Sequence, residues 1–423
     1  ATGNSNVSLA MQAGGSININ ANLTIDGTGT LHLEADSVHR SSGAADGTGT
    51  LTFATGTTTT TGGGAATFIA ADFTIDGSIT TGSGNIAMAE STSGTTLGLG
   101  TATGAILSDS ELDNITTSGT LTIGQATTKG SDGAGASAST LTSGAITFDE
   151  LTLGSKNVAL ISNSTINDDD DTSASLTTSG TLTLTSSGNI GASGGSQGLD
   201  LDVGTLSISG TGSGNVIVTE ASSLALGATT VGGTLSATAT TGDITDSGNL
   251  AITGAATFIT GVAESNIVLD SSGNAFSNSV EMRADAGGEA FGNITFVDSA
   301  GIDFATSAGS NGDLYINSST DGTVGGNLSV TATTGNITDT VALAISGTSS
   351  FTTSATNGTI VLNTPAALSG AVTLSTTGAS GNATIDNGTT ALNIAASTIG
   401  GNLTVTAGDS ITDSGVITVS GTA

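Results

Sequence analysis

The chain has 423 residues, with 65 Gly, one Pro, no Cys and 3% aromatics, so the large side chains of a wide globular core are missing. Thr, Ser, Asn and Gly are poor helix formers, which works against a helical fold, yet 36% of residues are hydrophobic and recur at short intervals, which works against disorder. Four basic residues (Arg40, Lys129, Lys156, Arg283) face 35 acidic ones, a net charge of −31 that excludes nucleic acid as a partner and disfavours anionic membranes.

In chain order, the first elements are short strands that alternate apolar and small polar residues. Asn6-Val7-Ser8-Leu9 opens the series, and Asn22-Leu23-Thr24-Ile25-Asp26-Gly27 is echoed by Asp72-Phe73-Thr74-Ile75-Asp76-Gly77. Between them, His32, Glu34 and Asp36 would share one face if they lie on a strand, with His39 beyond, a pattern that suits a transition metal or, more simply, exposed His and acid on a loop. Thr57–Gly64, Lys129–Ala138 and Asn167–Thr172 are expected to leave the regular structure as loops. Asp109, Glu111 and Asp113, or the run Asp168–Asp171, are carboxylates of the kind an inverting glycosidase uses, with a solvated turn as the plain alternative. Asp168, Asp169, Asp170 and Asp171 cannot be buried together, and clustered carboxylates suit a hard cation, so calcium is the one cofactor the sequence suggests.

Further along, Leu121-Thr122-Ile123, Leu182-Thr183-Leu184 and Leu206-Ser207-Ile208 repeat the strand pattern, with Ser187-Gly188-Asn189 and Ser213-Gly214-Asn215 as turns. Three longer repeats follow. VGGTLSATATTGDITDSGNLAITG begins at Val231, VGGNLSVTATTGNITDTVALAISG at Val324, and IGGNLTVTAGDSITDSGVITVSG at Ile399. They divide the second half into 231–323, 324–398 and 399–423. Their starts are separated first by 93 (324 − 231) and then by 75 (399 − 324). The two spacings differ by 18, which suggests a coil of about 18 to 19 residues, with five coils in one spacing and four in the other, since a solenoid tolerates the gain or loss of one turn. The third copy stops inside the repeat, and the chain opens within the same register. The expectation is therefore one continuous stack over 1–423, a slice of a longer repetitive protein, with flanking coils or other copies of itself as partners.

The pattern G-G-N-L-x-V-T-A…I-T-D-S-G…L-x-I-x-G-T, carried by Gly326-Asn327-Leu328 and Ile337-Thr338-Asp339 and again by Gly401-Asn402-Leu403 and Ile411-Thr412-Asp413, resembles the filamentous haemagglutinin family of giant repetitive bacterial adhesins. The resemblance implies a right-handed parallel β-helix, export to the bacterial cell surface, and attachment to cells or surface carbohydrate.

Taken together, the sequence predicts an all-β fold, a single parallel β-solenoid of roughly 20 coils stacked at ~4.8 Å. The expected function is structural rather than enzymatic: an extracellular filament or adhesin stalk. The competing readings are a carbohydrate-active β-helix and an ice-binding surface built on outward Thr pairs such as Thr181, Thr183 and Thr185. The sequons at Asn114, Asn293, Asn336 and Asn402 read more simply as Asn stacked at turns, hydrogen-bonded from coil to coil.

Overall fold

The computed structural model describes residues 6–37, 47–130, 137–169, 174–191, 198–210, 212–284, 292–305, 313–316 and 323–421. Parallel strands stack as successive turns of a β-solenoid, about 16 in all. The turns group into two compact units, Ala1–Val218 and Thr219–Ala423.

Each turn of the first unit places strands on three sides. One side stacks Leu9–Gln12, Leu31–Glu34, Ala66–Ala70, Ile86–Glu90, Thr120–Ile123 and Asn157–Ser162 in parallel register. A second holds Ile17–Ile19, Thr50–Phe53 and Asp72–Ile75. The third holds Leu23–Ile25, Thr58–Thr61, Ser78–Gly82 and Ile115–Thr117. Alternation decides what goes inside. Leu31, Ala66, Ile86, Leu121 and Val158 form one buried column, and the residue after each faces outward. Thr57–Gly64 is not a loop: Thr58–Thr61 is a strand with Thr59 and Thr61 buried. Its polarity suggested a loop, but β-branched Thr fits a pleated surface well and supplies its own alternation.

A pair of short strands, Gln125–Thr127 and Thr140–Thr142, runs antiparallel and leaves the coil. It covers an outer corner, where Ile69, Ala89 and Ala126 form a small second core with Ala87 and Leu141. The expected loop at Lys129–Ala138 is the link between these two strands; residues 131–136 lie outside the described residues. Asp109–Asp113 forms a one-turn helix whose start is fixed by a Ser108/Glu111 capping box. Among the described residues no helix is long and apolar enough to cross a membrane.

The second unit shows how the long repeats fit the coil. Leu224, Ile244, Ile267, Ile294 and Leu328 occupy one ladder. Leu235, Ala256, Val280 and Leu314 occupy another. Leu328 is the sequence counterpart of Leu235, yet it stacks on the ladder of Ile244. The next repeat behaves the same way. Ile337, Ile360, Ala383 and Leu403 form one ladder, so Leu403, the counterpart of Leu328, stands on the ladder of Ile337. Each repeat thus advances three whole turns and one further side. The step from Leu328 to Leu403 is 75 (403 − 328). Spread over three and a third turns, it gives about 22 to 23 residues per turn, within the range usual for stacked repeats.

Plain turns agree: the step is 20 from Leu224 to Ile244 (244 − 224) and 23 from Ile337 to Ile360 (360 − 337). The turn from Ile294 to Leu328 is longer, a step of 34 (328 − 294). The coil is therefore longer than whole-number division of the spacings suggested, and the turns are correspondingly fewer than twenty. Three strands and three corners need more chain than the shorter coil supplies.

Phe side chains fill the wider parts of the core. Phe276 packs between Phe258 and Phe296, with ring centroids 6.1 and 5.3 Å apart.

Candidate functional site

Two sets of polar side chains stand out from the repeating strands. The first runs along the corners of the second unit. Asp243 Oδ1 accepts the backbone N–H of Asn266 at 2.7 Å, and Asn266 Oδ1 accepts that of Asn293 at 2.9 Å. Asn293 Oδ1 accepts the N–H of Asn327 at 2.8 Å, and Asn327 Oδ1 accepts that of Thr348 at 2.8 Å. Each side chain ties its own turn to the next one through a corner amide that no strand partner reaches. Asn336 does the same for Thr359, and Asn402 donates its own N–H to Asn382 Oδ1. Three of the four sequon Asn residues thus take part in the expected stacking. Asn114 differs, donating its Nδ2 to the Ile75 carbonyl at 2.6 Å.

The I-T-D motif has a matching role. Asp246 accepts the backbone N–H groups of Asp270 and Ser271, and Asp339 those of Asn363 and Thr364. Burial pushes the Asp339 carboxyl above its ordinary range, against the pull of those amides.

The second set lies on the covered corner of the first unit. Glu34 is 1% exposed. Burial pushes its carboxyl up, but His32 Nε2 at 3.2 Å, Ser37 Oγ at 2.5 Å, Gln12 Nε2 at 3.0 Å and the Lys129 N–H, also at 3.2 Å, outweigh that and hold it at about 2. Asp36 is fully buried, with a left-handed backbone (φ 53°), and its Oδ2 accepts Ser91 Oγ at 2.7 Å and the Gly47 N–H at 3.0 Å. Glu90 is 7% exposed, and its Oε2 is buried with no hydrogen-bond partner. Burial alone pushes its carboxyl up to about 7. Glu90 lines a cavity of about 190 Å³ together with Gly47, Ala71, Ser91, Thr92 and Thr95.

His32 and Glu34 do meet, as their spacing suggested, but Asp36 turns away into its own contacts, and His39 lies outside the described residues. Among the described residues no group of three His, Cys, Asp or Glu side chains is gathered as a transition-metal site of the expected kind would need. Glu90 was not singled out in the sequence, although a signal was there. In Ile86-Ala87-Met88-Ala89-Glu90 the carboxylate falls on the inward phase of the strand.

The other carboxylates hold the backbone. Asp168 Oδ2 accepts the Asp200 N–H at 2.9 Å, and Asp169 Oδ2 accepts the Thr103 N–H at 3.0 Å; Asp170 and Asp171 lie outside the described residues. Asp168 ends the strand Ile166–Asp168, so the expected loop begins later than Asn167. Glu111 accepts the N–H groups of Ser108 and Ile75, and Asp109 that of Thr152.

In the comparisons with known proteins, a family model described as "Repeats of unknown function (DUF5649)" matches residues 213–283, 292–375 and 380–423. No curated protein and no solved structure matches the chain. The matched segments carry the three long repeats and nearly all of the second unit. Match and fold together make this a repetitive β-solenoid protein.

Proposed function

We propose that the chain is a structural segment of an extracellular surface filament or adhesin stalk, of the filamentous haemagglutinin type, on a bacterium. The observation that carries this reading is the axial one: strand ladders reinforced by the unbroken Asp243–Asn266–Asn293–Asn327–Thr348 line of corner bonds. Hydrogen bonds directed from turn to turn resist stretching and bending, which is what a spacer needs. A net charge of −31 keeps neighbouring copies dispersed, and a Cys-free chain needs no oxidative folding on export. Flanking coils or other copies continue the stack, and a binding tip for cells or carbohydrate lies elsewhere.

Immunogold electron microscopy of the source cells with antibody against this segment tests the reading. Label along thin surface fibres is expected. Label confined to the cell interior, or a secreted form that cleaves polysaccharide, contradicts it.

One observation favours a second reading. Thr295, Ser329, Ser350 and Thr373 stack in register, and Thr331, Thr352 and Ser375 form a parallel column two residues along. A flat grid of outward hydroxyls is what an ice-binding face requires. Thermal hysteresis that is lost in Thr352→Tyr would establish it; freezing behaviour no different from albumin removes it.

A further inference from the structure

Among the described residues that line the cavity beside Glu90, every polar side-chain atom is an oxygen. Glu90 Oε2 has no hydrogen-bond partner and is one atom of a side chain that is 7% exposed. Ser91 Oγ gives its proton to Asp36 Oδ2, and Thr95 Oγ1 gives its proton to the Thr92 carbonyl at 2.7 Å. Both hydroxyls therefore turn their free lone pairs away from those bonds, and both line the same cavity as Glu90. No Lys or Arg is among the described lining residues. Behind Ser91, the Asp36 carboxylate adds a second negative charge one hydrogen bond away. Among the described lining residues an anion finds no positive charge and meets the Glu90 carboxyl, and an apolar group leaves Glu90 uncompensated.

We propose that this cavity is a binding site for a hard divalent cation of the calcium class, with Glu90 and the Ser91 and Thr95 hydroxyls as ligands and Asp36 as the neighbouring charge. Two carboxylates balance the two positive charges. Oxygen-only donors suit a hard cation. A volume of about 190 Å³ admits the ion with several waters of its own. The site ties Glu90, on the Ile86–Glu90 strand, to Asp36, two turns earlier in the stack. The cation thus holds the turn of Glu90 and, through the Ser91–Asp36 bond, reaches the turn two earlier in the stack.

The test is titration calorimetry of the intact chain with calcium chloride in ~150 mM sodium chloride. The same measurement is made on Glu90→Gln, Thr95→Val and Asp413→Asn, the last an exposed carboxylate in the other unit. The wild type is expected to bind calcium in the roughly 0.1–1 mM range typical of extracellular modules. Glu90→Gln should weaken binding at least tenfold and Thr95→Val severalfold, with Asp413→Asn unchanged. Glu90→Gln replaces an uncompensated carboxyl by a neutral group of the same shape, and circular dichroism confirms its fold. Equal affinity in wild type and Glu90→Gln overturns the proposal. So does an equal loss in Asp413→Asn, which signals diffuse charge screening, and so does no binding up to ~10 mM, beyond the range of such modules.

Discussion

Glu34 and Glu90 lie on the same corner and respond to pH in opposite ways. Glu34 has donors enough to hold its carboxyl at about 2, below the ordinary 4.5. It therefore contributes stability that is fully present above pH 4.5 and is lost as the pH falls toward 2, on the order of 3 kcal/mol. Removing a donor with His32→Ala should shrink that acid-sensitive contribution, read as a smaller drop in urea midpoint between pH 5 and pH 3. An unchanged drop would mean that the imidazole adds nothing. Glu90 has burial and no donor, so its carboxyl sits at about 7. With no cation present, stability falls as the pH rises from 4.5 to 7, again on the order of 3 kcal/mol, because the ionised form is the one that burial penalises. Glu90→Gln in EDTA should remove this fall and leave the protein more stable than wild type at pH 8. Parallel pH profiles for the two proteins would contradict that account. The sequence showed half of this corner. His32 and Glu34 are two apart on one strand, so their meeting was legible. Glu34 has the outward phase and is buried only because other parts of the chain cover it, among them the segment carrying Lys129. Nothing local in the sequence announces that cover, nor the approach of Ser91 to Asp36 across 55 residues.

At the scale of the element, corners decide more than strands do. The strands were readable from alternation, as at Leu328–Ala332, where Leu328, Val330 and Ala332 are buried. The corners explain the glycine content. Gly326, Gly347 and Gly370 stack in adjacent turns so closely that a Cβ on Gly347 would lie 2.5 Å from the Gly326 carbonyl oxygen, and one on Gly370 would lie 2.1 Å from that of Gly347. Close approach, rather than a left-handed backbone, demands glycine there. Gly347→Ala should lower the melting temperature by several degrees, whereas Ala at the exposed Gly56, where a Cβ meets nothing, has only its φ of +78° to overcome. Equal effects at the two sites would show that crowding is not the cause. The Asn line makes a second prediction. Asn293→Ala leaves the Asn327 N–H without its acceptor, at a cost of about 1–2 kcal/mol. The Asn327 amide should exchange with deuterium about tenfold faster or more, while amides several turns away stay protected. Unchanged protection at Asn327 would assign the corner to something other than this bond.

At the scale of the molecule, the solenoid fold was legible from repeats and composition, but its pitch was not. Two spacings, 93 and 75, invite division by whole numbers, and the structure shows that the second contains three and a third turns. Sequence similarity marks which residues play equivalent roles in a strand and corner. It carries no information about which of three sides those residues occupy, because the sides differ little in what they bury. A turn-sized change should respect the true coil. Deletion of 337–359, which joins Asn336 to Ile360, removes one complete turn between partners of the same ladder. That variant should keep a β-type circular dichroism spectrum and resist protease. Deletion of 337–354 alone, the length of the shorter coil, turns apolar columns toward solvent and should leave a protease-sensitive chain. The reverse ranking would restore the shorter coil.

The most direct test of the three-sided coil uses the absence of native cysteine. Thr295 and Ser329 face outward on adjacent rungs of one ladder, although they stand 34 apart in sequence (329 − 295). Tyr315, about one short coil beyond Thr295, stands on the ladder of Glu281 instead. Paired cysteines at each couple, labelled with pyrene, report contact by excimer fluorescence. Strong excimer emission is expected for Thr295→Cys with Ser329→Cys and none for Thr295→Cys with Tyr315→Cys. Excimer emission from the second pair and not the first would contradict the register, and with it the stepping of the repeats from side to side.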